Sequence, residues 1–341
     1  MDVELGIDTF GDVTHDHRGL PLPHAQVVRN VVAQGIRADE VGLDVIGIGE
    51  HHRDDFAVSA PEMVLSGIAT RTERIRLASA VTVLSSDDPV RVYERYATLD
   101  ALSSGRAEVV LGRGSFTESF PLFGYSLSDY EALFEEKLAL FARLRTDQPL
   151  TWSGELTQNL ADVRLYPPVA DGPLPAWVAV GGSPQSVIRA AQHALPLLLA
   201  IIGGPVERFA PFADLYRRAL EELSQPEQRV GYHSFGHVAA TDEQAVEEFY
   251  DAWFAQVSRI GAERGWSTPT RASFLHEIHH GSLLVGSPET VARKISAGMK
   301  ALQATRMNVK VSTGPLSHER IMTSIELLGT RVRPLVADML S

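Results

Sequence analysis

A polar cluster follows directly on a short apolar run in the first third of the chain. Residues 44–49 read DVIGIG, and residues 50–55 read EHHRDD. An imidazole changes charge near neutral pH, so a histidine at the carboxyl end of a strand can act as a general acid or base. We therefore take His51 as the candidate catalytic residue, with His52 beside it. The alternative is a hydrogen-bonded loop with two solvent-facing imidazoles.

Two glycine-containing segments could bind an anionic group. Residues 112–115 (GRGS) follow a strand-like run, and arginine between glycines suits an anion that approaches the backbone. Residues 181–184 (GGSP) follow another such run and open a helix, where free backbone amides attract anions. Each segment also has an ordinary explanation, as a tight turn or a plain helix cap. If the two segments follow adjacent strands of one barrel, they lie side by side, and together they indicate a phosphate site.

A third pattern is HEIHH at residues 276–280, which matches the H-E-x-x-H motif of zinc hydrolases. That chemistry needs His276 and His280 one helical turn apart on the metal, with Glu277 as general base. Gly281 ends any such helix at once, and no third ligand is evident nearby. A zinc hydrolase is therefore the hypothesis from another functional class. A loop or solvent role is favoured for this segment, and no metal site is predicted.

Short apolar runs alternate with amphipathic stretches along the whole chain. The eight strand candidates are 3–8, 44–49, 75–84, 107–111, 175–180, 197–202, 231–239 and 307–311. Repeated strand–helix–strand units give parallel strands, and eight of them favour a (β/α)8 TIM barrel over an open sheet. An open nucleotide-binding sheet needs a glycine-rich fingerprint after its first strand, where DTFGD stands instead.

The spacing predicts a single domain over residues 1–341, with insertions after the fourth and seventh strands. The first holds a helix at about 128–145 and a proline-rich stretch, and the second covers about 259–285. Loops that follow the strands lie at the C-terminal end of a barrel, where they form the substrate-binding site. Segments 51–58, 115–125 and 259–285 contain several aromatic residues, which favour an apolar substrate: Phe56, Phe116, Phe120, Phe123, Trp266 and Phe274.

Composition excludes several classes of function. The 341 residues contain 31 Lys and Arg against 43 Asp and Glu, a net charge of −12, which argues against nucleic acid or an anionic membrane as partner. The chain has no cysteine, which excludes thiolate nucleophiles, disulfides, and cysteine-ligated zinc or iron–sulfur clusters. No signal-peptide pattern opens the chain, so a cytoplasmic location is expected.

These motifs, in this order, resemble the bacterial luciferase-like family of flavin-dependent monooxygenases. The resemblance extends over essentially the whole chain and is most specific between Ile75 and Gly114. The segments that carry it are 42–44 (GLD), 50–52 (EHH), 80–84 (AVTVL), 89–91 (PVR), 98–106 (TLDALSSGR), 112–114 (GRG), 181–184 (GGSP) and 285–289 (VGSPE).

The resemblance implies a barrel that binds FMN at its C-terminal mouth and catalyses a monooxygenation. It implies His51 as the active-site histidine, and a non-prolyl cis peptide at Ala80–Val81 against which the flavin ring packs. Small residues there leave room for a flat ring, although core packing explains them as well. The implied cofactor-binding residues are Ala80, Val81, Thr82, Gly112, Arg113, Gly181, Gly182 and Ser183, with the phosphate on Arg113 and the last three.

Further expectations come from the same resemblance. Reduced FMN is expected from a separate flavin reductase, and family members commonly form homodimers. Bacterial luciferase carries a cysteine where this chain has Gly112, so luminescence has no support. The alternative within the fold is a relative that uses the deazaflavin coenzyme for hydride transfer without oxygen. A non-catalytic flavin-binding protein is a third possibility, against which the intact His51 and Arg113 argue.

Overall fold

Eight parallel strands form a closed barrel at the centre of the computed structural model, which describes residues 3–16 and 18–341. They are β1 Glu4–Thr9, β2 Val45–Ile48, β3 Arg76–Ser79, β4 Ala107–Gly112, β5 Ala176–Val180, β6 Leu197–Ala200, β7 Val230–Val238 and β8 Arg306–Lys310. Each strand pairs with the next, and β8 pairs with β1 to close the ring. The predicted (β/α)8 barrel is confirmed.

Helices cover the outside of the barrel between successive strands. They are α1 His24–Glu40, α2 Pro61–Ala69, α3 Pro89–Ser103, α4 Ser119–Leu122, α5 Tyr130–Leu144, α6 Pro184–Gln192, α7 Ala210–Glu222, α8 Asp242–Arg264, α9 Arg271–His280, α10 Pro288–Leu302, α11 His318–Leu327 and α12 Arg333–Leu340. Among the described residues, none of these helices combines the length and the apolar character that a membrane crossing requires.

Local chemistry explains where several of these helices begin. Proline occupies the first position of α2, α3, α6 and α10, where its missing N–H costs nothing. The side chain of Asp88 accepts hydrogen bonds from the backbone at the start of α3, and Ser183 does the same for α6. These signals are readable in the sequence, where Asp88 and Pro89 stand at the start of α3.

The two predicted insertions contain regular structure. After β4, the helix expected at about 128–145 is α5, and an antiparallel hairpin of Leu150–Trp152 with Leu160–Val163 follows it. The sequence did not indicate this hairpin because its strands are short and contain a single buried residue, Leu150. Residues 259–285 comprise the end of α8, the whole of α9 and the start of a short strand, Leu284–Gly286, that pairs with β7.

The apolar core has two parts, one on each side of the barrel wall. The larger lies between strands and helices and includes Leu5, Ile7, Ile46 and Ile48. The smaller lies inside the barrel and consists of Val45, Ala78, Val110, Trp177 and Leu198. This division follows from strand geometry, because alternate side chains along a strand point to opposite faces of the barrel wall.

Charged residues share the barrel interior with that small apolar layer. Arg306 on β8 is 1% exposed and Glu108 on β4 is 2% exposed. Arg306 binds Glu108 through both terminal nitrogens, binds Glu4 through Nε at 2.7 Å, and lies 4.3 Å from the centroid of the Trp177 ring. The Arg306 guanidinium helps to hold the pKa of the Glu108 carboxyl below its usual value despite complete burial.

We expect Arg306→Leu to lower the free energy of unfolding by about 3–5 kcal/mol, because it leaves the buried Glu108 carboxylate without its main partner. Urea unfolding at neutral pH measures this. Arg91→Ala is the matched control, since Arg91 makes only an exposed pair with Glu94 and its loss should cost less than about 1 kcal/mol. Equal effects in the two variants would contradict the structural role given to Arg306.

Candidate active site

A cavity of about 680 Å³ opens at the carboxyl ends of the barrel strands. Its volume falls within the roughly 300–1,000 Å³ typical of small-molecule sites. Its walls are largely apolar, with polar groups from the segments after β1, β2, β4 and β7. The residues that line it include Phe10, Glu50, His51, His52, Phe56, Ala80, Val81, Gly112, Arg113, Phe116, Tyr130, Gly181, His233, Phe235, Trp253, Arg264 and Trp266.

His51 lies in a cage of aromatic rings at one wall of this cavity. Its ring centroid is 4.2 Å from that of Phe56, 5.0 Å from that of Phe10 and 5.4 Å from that of Phe116. Desolvation among these rings, together with the positive charges of Lys310 and Arg53, lowers the pKa of His51 to about 3. His51 is therefore a neutral imidazole at neutral pH, able to accept a proton or a hydrogen bond.

The neighbouring pair Glu50 and His52 holds the loop after β2 against the next strand. The buried Glu50 carboxylate accepts a hydrogen bond from the backbone N–H of Val83 at 2.9 Å. Its other oxygen lies 3.0 Å from Nε2 of His52. Val83 follows the peptide between Ala80 and Val81, which is cis as the family resemblance implied. Glu50 thus sets the position of His51 relative to Ala80 and Val81.

The structure brings most of the predicted cofactor-binding residues to one side of the cavity. Ala80, Val81, Gly112, Arg113 and Gly181 line it. Gly112 is needed there, because a Cβ at this position would come within 2.6 Å of the Val81 side chain. A Cβ at Gly181 would meet nothing within 4 Å, so the backbone at this glycine is open to a ligand.

Three predicted residues lie outside the cavity lining. The Thr82 side chain is buried, with its hydroxyl 3.3 Å from the Tyr96 hydroxyl on α3. Gly182 has a positive φ of 95°, which suits glycine in the turn before α6. Ser183 caps α6, with its hydroxyl oxygen accepting the backbone N–H of Ser186 at 3.3 Å. Ser183 therefore acts as an ordinary helix cap in this structure. This role does not prevent an anion from binding at the start of α6.

Arg113 points toward the start of α5. Its guanidinium forms an ion pair with Glu131 and lies 5.4 Å from the centroid of the Tyr130 ring. The Tyr130 hydroxyl donates a hydrogen bond to the backbone oxygen of Gly114 at 2.8 Å. This bond fixes the start of α5 against the loop that carries Arg113, so a cation stands at one edge of the apolar cavity.

A polar group inside the barrel mouth was not singled out from the sequence. His233 on β7 lines the cavity, and its Nδ1 lies 2.6 Å from a carboxylate oxygen of Asp8 on β1. The other Asp8 oxygen accepts a hydrogen bond from Asn308 at 2.9 Å. A carboxylate accepts hydrogen bonds, so Nδ1 of His233 donates to Asp8 and Nε2 is left for the cavity.

Lys310 adds a buried cation beneath the same cavity. Its ammonium group lies 2.9 Å from both carboxylate oxygens of Asp12 and 4.6 Å from the centroid of the Phe10 ring. Burial lowers the pKa of Lys310. The signal for these residues was present in β8, where Arg306, Asn308 and Lys310 occupy alternate positions of a strand expected to be buried. Polar residues at every second position indicate a polar barrel interior.

Arg53 joins the three segments that the sequence analysis expected to shape the substrate. It binds Asp55 in its own loop at 3.0 Å, Glu118 after β4 at 2.7 Å and Glu263 near the end of α8 at 2.5 Å. The aromatic residues of these segments divide among different environments: Phe56, Phe116 and Trp266 line the cavity, Phe120 and Phe274 are buried, and Phe123 is exposed.

The HEIHH segment forms the last turns of α9, and none of its five residues lines the cavity. His276 and His280 are exposed, with ring centroids 4.9 Å apart. A carboxylate oxygen of Glu277 accepts hydrogen bonds from the backbone N–H groups of Gly204 at 2.7 Å and Ser282 at 3.0 Å. Glu277 therefore ties α9 to the loop after β6. Within residues 3–16 and 18–341, no cluster of three or more metal-ligating side chains occurs.

Comparison with known sequences finds a family model that matches most of this chain. The model of that family, described as luciferase-like monooxygenase, matches residues 9–306. A relative from Streptomyces nodosus subsp. asukaensis, 4-hydroxyprotoasukamycin monooxygenase, is 29% identical over 263 residues, which cover 73% of this chain and 71% of that protein.

Solved structures share the fold at low sequence identity. A monooxygenase from Streptomyces bottropensis superposes with a TM-score of 0.82 at 20% identity, covering 97% of this chain and 99% of that one. The oxygenating constituent of 3,6-diketocamphane monooxygenase from Pseudomonas putida, in complex with FMN, gives 0.79 at 17% identity and 98% of both chains. The coenzyme F420 dependent tetrahydromethanopterin reductase from Methanopyrus kandleri gives 0.69 at 18% identity, covering 98% of this chain and 99% of that one.

The low pKa of His51 predicts a pH dependence of stability. Between a folded pKa of about 3 and an unfolded pKa of about 6.5, the unfolded chain binds more protons, so this contribution to stability falls as the pH decreases below about 6.5. Between pH 7 and pH 5, wild type should lose about 2 kcal/mol more than a His51→Phe variant. Urea unfolding at both pH values measures the difference. An equal loss of stability in the two proteins would mean that His51 is protonated over the same pH range in the folded and unfolded states.

Proposed function

Because this chain belongs to the luciferase-like monooxygenase family, we propose that it binds reduced FMN at the barrel mouth and uses it with oxygen on a small organic substrate. The observation that carries this proposal is the apolar cavity of about 680 Å³, which has Arg113 at one edge and three histidines, His51, His52 and His233, in its walls. When bound, a reduced flavin supplies the electron pair for oxygen activation.

The residues present fit such a cofactor. An isoalloxazine is a flat ring system, and the small residues Ala80, Val81 and Gly112 leave room for it at one wall of the cavity. A phosphate is best held by arginine and by free amides at a helix start. Arg113 and the open backbone at Gly181 supply those groups on neighbouring strands, since β4 pairs with β5. Ser183 and Gly182, in the turn before α6, complete the proposed phosphate contacts.

Two of the cavity histidines, His51 and His233, can do different chemistry. His51 is neutral within its aromatic cage, so it can accept a proton or orient a substrate through a hydrogen bond. At neutral pH it carries one ring N–H and is not an imidazolium that could act as a strong acid. His233 is bound to Asp8, and a carboxylate partner stabilises an imidazolium once Nε2 takes up a proton. We therefore assign the uptake and return of a proton to His233, and Asp8 positions its ring.

A specific likeness supports the deazaflavin alternative. The F420 dependent reductase shares the fold over nearly the whole chain, and its coenzyme also has a flat ring. The same apolar wall serves either ring, and the reaction then becomes hydride transfer without oxygen. A separate flavin reductase, a homodimer and a cytoplasmic location belong to the same proposal and rest on the family resemblance and the sequence.

Titration of the purified protein with FMN and with the deazaflavin coenzyme, followed by absorbance and fluorescence, tests the cofactor assignment. We expect saturable FMN binding that Arg113→Ala weakens by about 10- to 150-fold, the loss expected for a charged hydrogen bond. Riboflavin lacks the phosphate, so its affinity should be the same in both proteins. Arg91→Ala is the exposed control. Saturation by the deazaflavin alone would select hydride transfer, and unchanged FMN affinity in Arg113→Ala would reject the phosphate assignment.

Product formation from any substrate that the enzyme turns over tests the role of His233. His233→Asn keeps a donor for Asp8 and removes the nitrogen that remains for the cavity. Turnover should fall by about 100-fold or more, within the range for general acid–base catalysis, and the dependence of kcat on pH should lose one limb. FMN affinity and the urea midpoint should stay close to wild type. An unaltered pH profile would show that His233 only supports the structure.

A further inference from the structure

We infer that the phosphate end of the proposed cofactor site contains a second arginine, Arg189, and that the Glu131 carboxylate occupies this end in the free protein as an internal competitor. The inference rests on the proposed function and extends it to residues that the family resemblance did not indicate. It starts from a carboxylate that bridges two guanidinium groups: one Glu131 oxygen pairs with Arg113, and the other lies 3.4 Å from Nη2 of Arg189.

Arg189 is largely buried and, among the described residues, has an unpaired guanidinium nitrogen, as expected of a ligand-binding residue. Its side chain, on α6, is only 10% exposed. Nε pairs with Glu135, and the guanidinium stacks over Phe134 at 5.5 Å from the ring centroid. Nη1 is buried and has no hydrogen-bond partner within the part of the chain that the structure describes. A buried guanidinium N–H without an acceptor is costly, so an incoming oxyanion would gain a donor that is already in place.

Both arginines lie on segments that adjoin the loop after β5. Arg113 follows β4, and α6 begins at Pro184 directly after that loop. Because β4 and β5 are adjacent, the two loops lie side by side at the barrel mouth. Glu131 reaches the space between the arginines from the first turn of α5, which the Tyr130 hydrogen bond holds in place. Since the two arginines bind the Glu131 carboxylate at this place, they can also bind a phosphate there.

A phosphate and the Glu131 carboxylate cannot both occupy that space without strong repulsion. A phosphomonoester carries up to two negative charges and offers three oxygens, so it is the stronger partner for two guanidinium groups. Glu131 is 62% exposed on its side chain, and its carboxylate can therefore turn to solvent when a phosphate arrives. Glu135 stays on Arg189 and keeps that side chain oriented.

Competition of this kind lowers the affinity for the cofactor without changing any group that touches the flavin ring. A weakly held flavin exchanges readily, which suits an enzyme that receives its reduced cofactor from another protein. Removing the charge of Glu131 should therefore tighten binding. Were Glu131 only a support that orients Arg113, removing its charge would weaken binding or leave it unchanged.

Fluorescence titration of the full-length protein with FMN and with riboflavin separates these two roles. Glu131→Gln should lower the Kd for FMN by about tenfold, as expected when a like charge next to the phosphate is removed, and leave the Kd for riboflavin unchanged. Arg189→Gln should raise the Kd for FMN by about tenfold or more, again without effect on riboflavin. Urea unfolding confirms that each variant is folded.

Glu135→Gln is the matched control, because Glu135 lies on the same helix and pairs with Arg189 but has no contact with Arg113. It should tighten FMN binding less than Glu131→Gln does. A wild-type protein that binds FMN through Arg113, together with a Glu131→Gln variant of equal or weaker affinity, would overturn the inference and leave the proposed function intact. If FMN saturates neither wild type nor Glu131→Gln, both the inference and the proposed function are rejected. Binding by the variant alone would support the competition.

Discussion

Closure of the barrel is the constraint on which the rest of the structure depends. β7 pairs with β6 on one side and with β8 on the other, and β8 returns to β1. Because all eight strands run parallel, their carboxyl ends meet at one mouth. Closure thereby collects side chains that lie far apart in the sequence around a single cavity: Phe10, His51, Val81, Arg113, Gly181 and His233.

The interior of this barrel is layered by polarity. Arg306 and Glu108 pair at one level, the small apolar cluster around Trp177 lies above them, and Asp8, Asn308 and Lys310 form a second polar level beneath the cavity. Buried charges are tolerated only when they are paired, and each of these has a partner. The Arg306–Glu108 pair joins strands on opposite sides of the barrel, whereas Asp8, in the other polar level, lines the cavity.

Environment, rather than residue type, distinguishes the ionisable groups of the site. His51 and His233 carry the same ring, yet aromatic neighbours keep one neutral while Asp8 holds the other in a single tautomer. Arg113 and Arg189 similarly differ from the many exposed arginines because they share the Glu131 carboxylate beside a helix start. Two arginines that share an internal carboxylate form the phosphate end of the proposed cofactor site, where we propose that Glu131 competes with the phosphate.

The sequence by itself determined the number and order of the barrel strands, the start of α3 and the positions of His51 and Arg113 at strand ends. Apolar periodicity, proline and capping residues are local signals, and they need no knowledge of distant contacts. The short hairpin after α5, the pairing of His233 with Asp8 and the bridge from Glu131 to Arg189 escaped this reading. The contacts of His233 with Asp8 and of Glu131 with Arg189 join residues far apart in the chain, which closure of the barrel or packing of a helix brings together. The hairpin is local, but its strands are too short to give a periodic pattern. Only the tertiary structure could decide these contacts, because the pKa of a histidine and the partner of an arginine are properties of the surroundings that the fold creates.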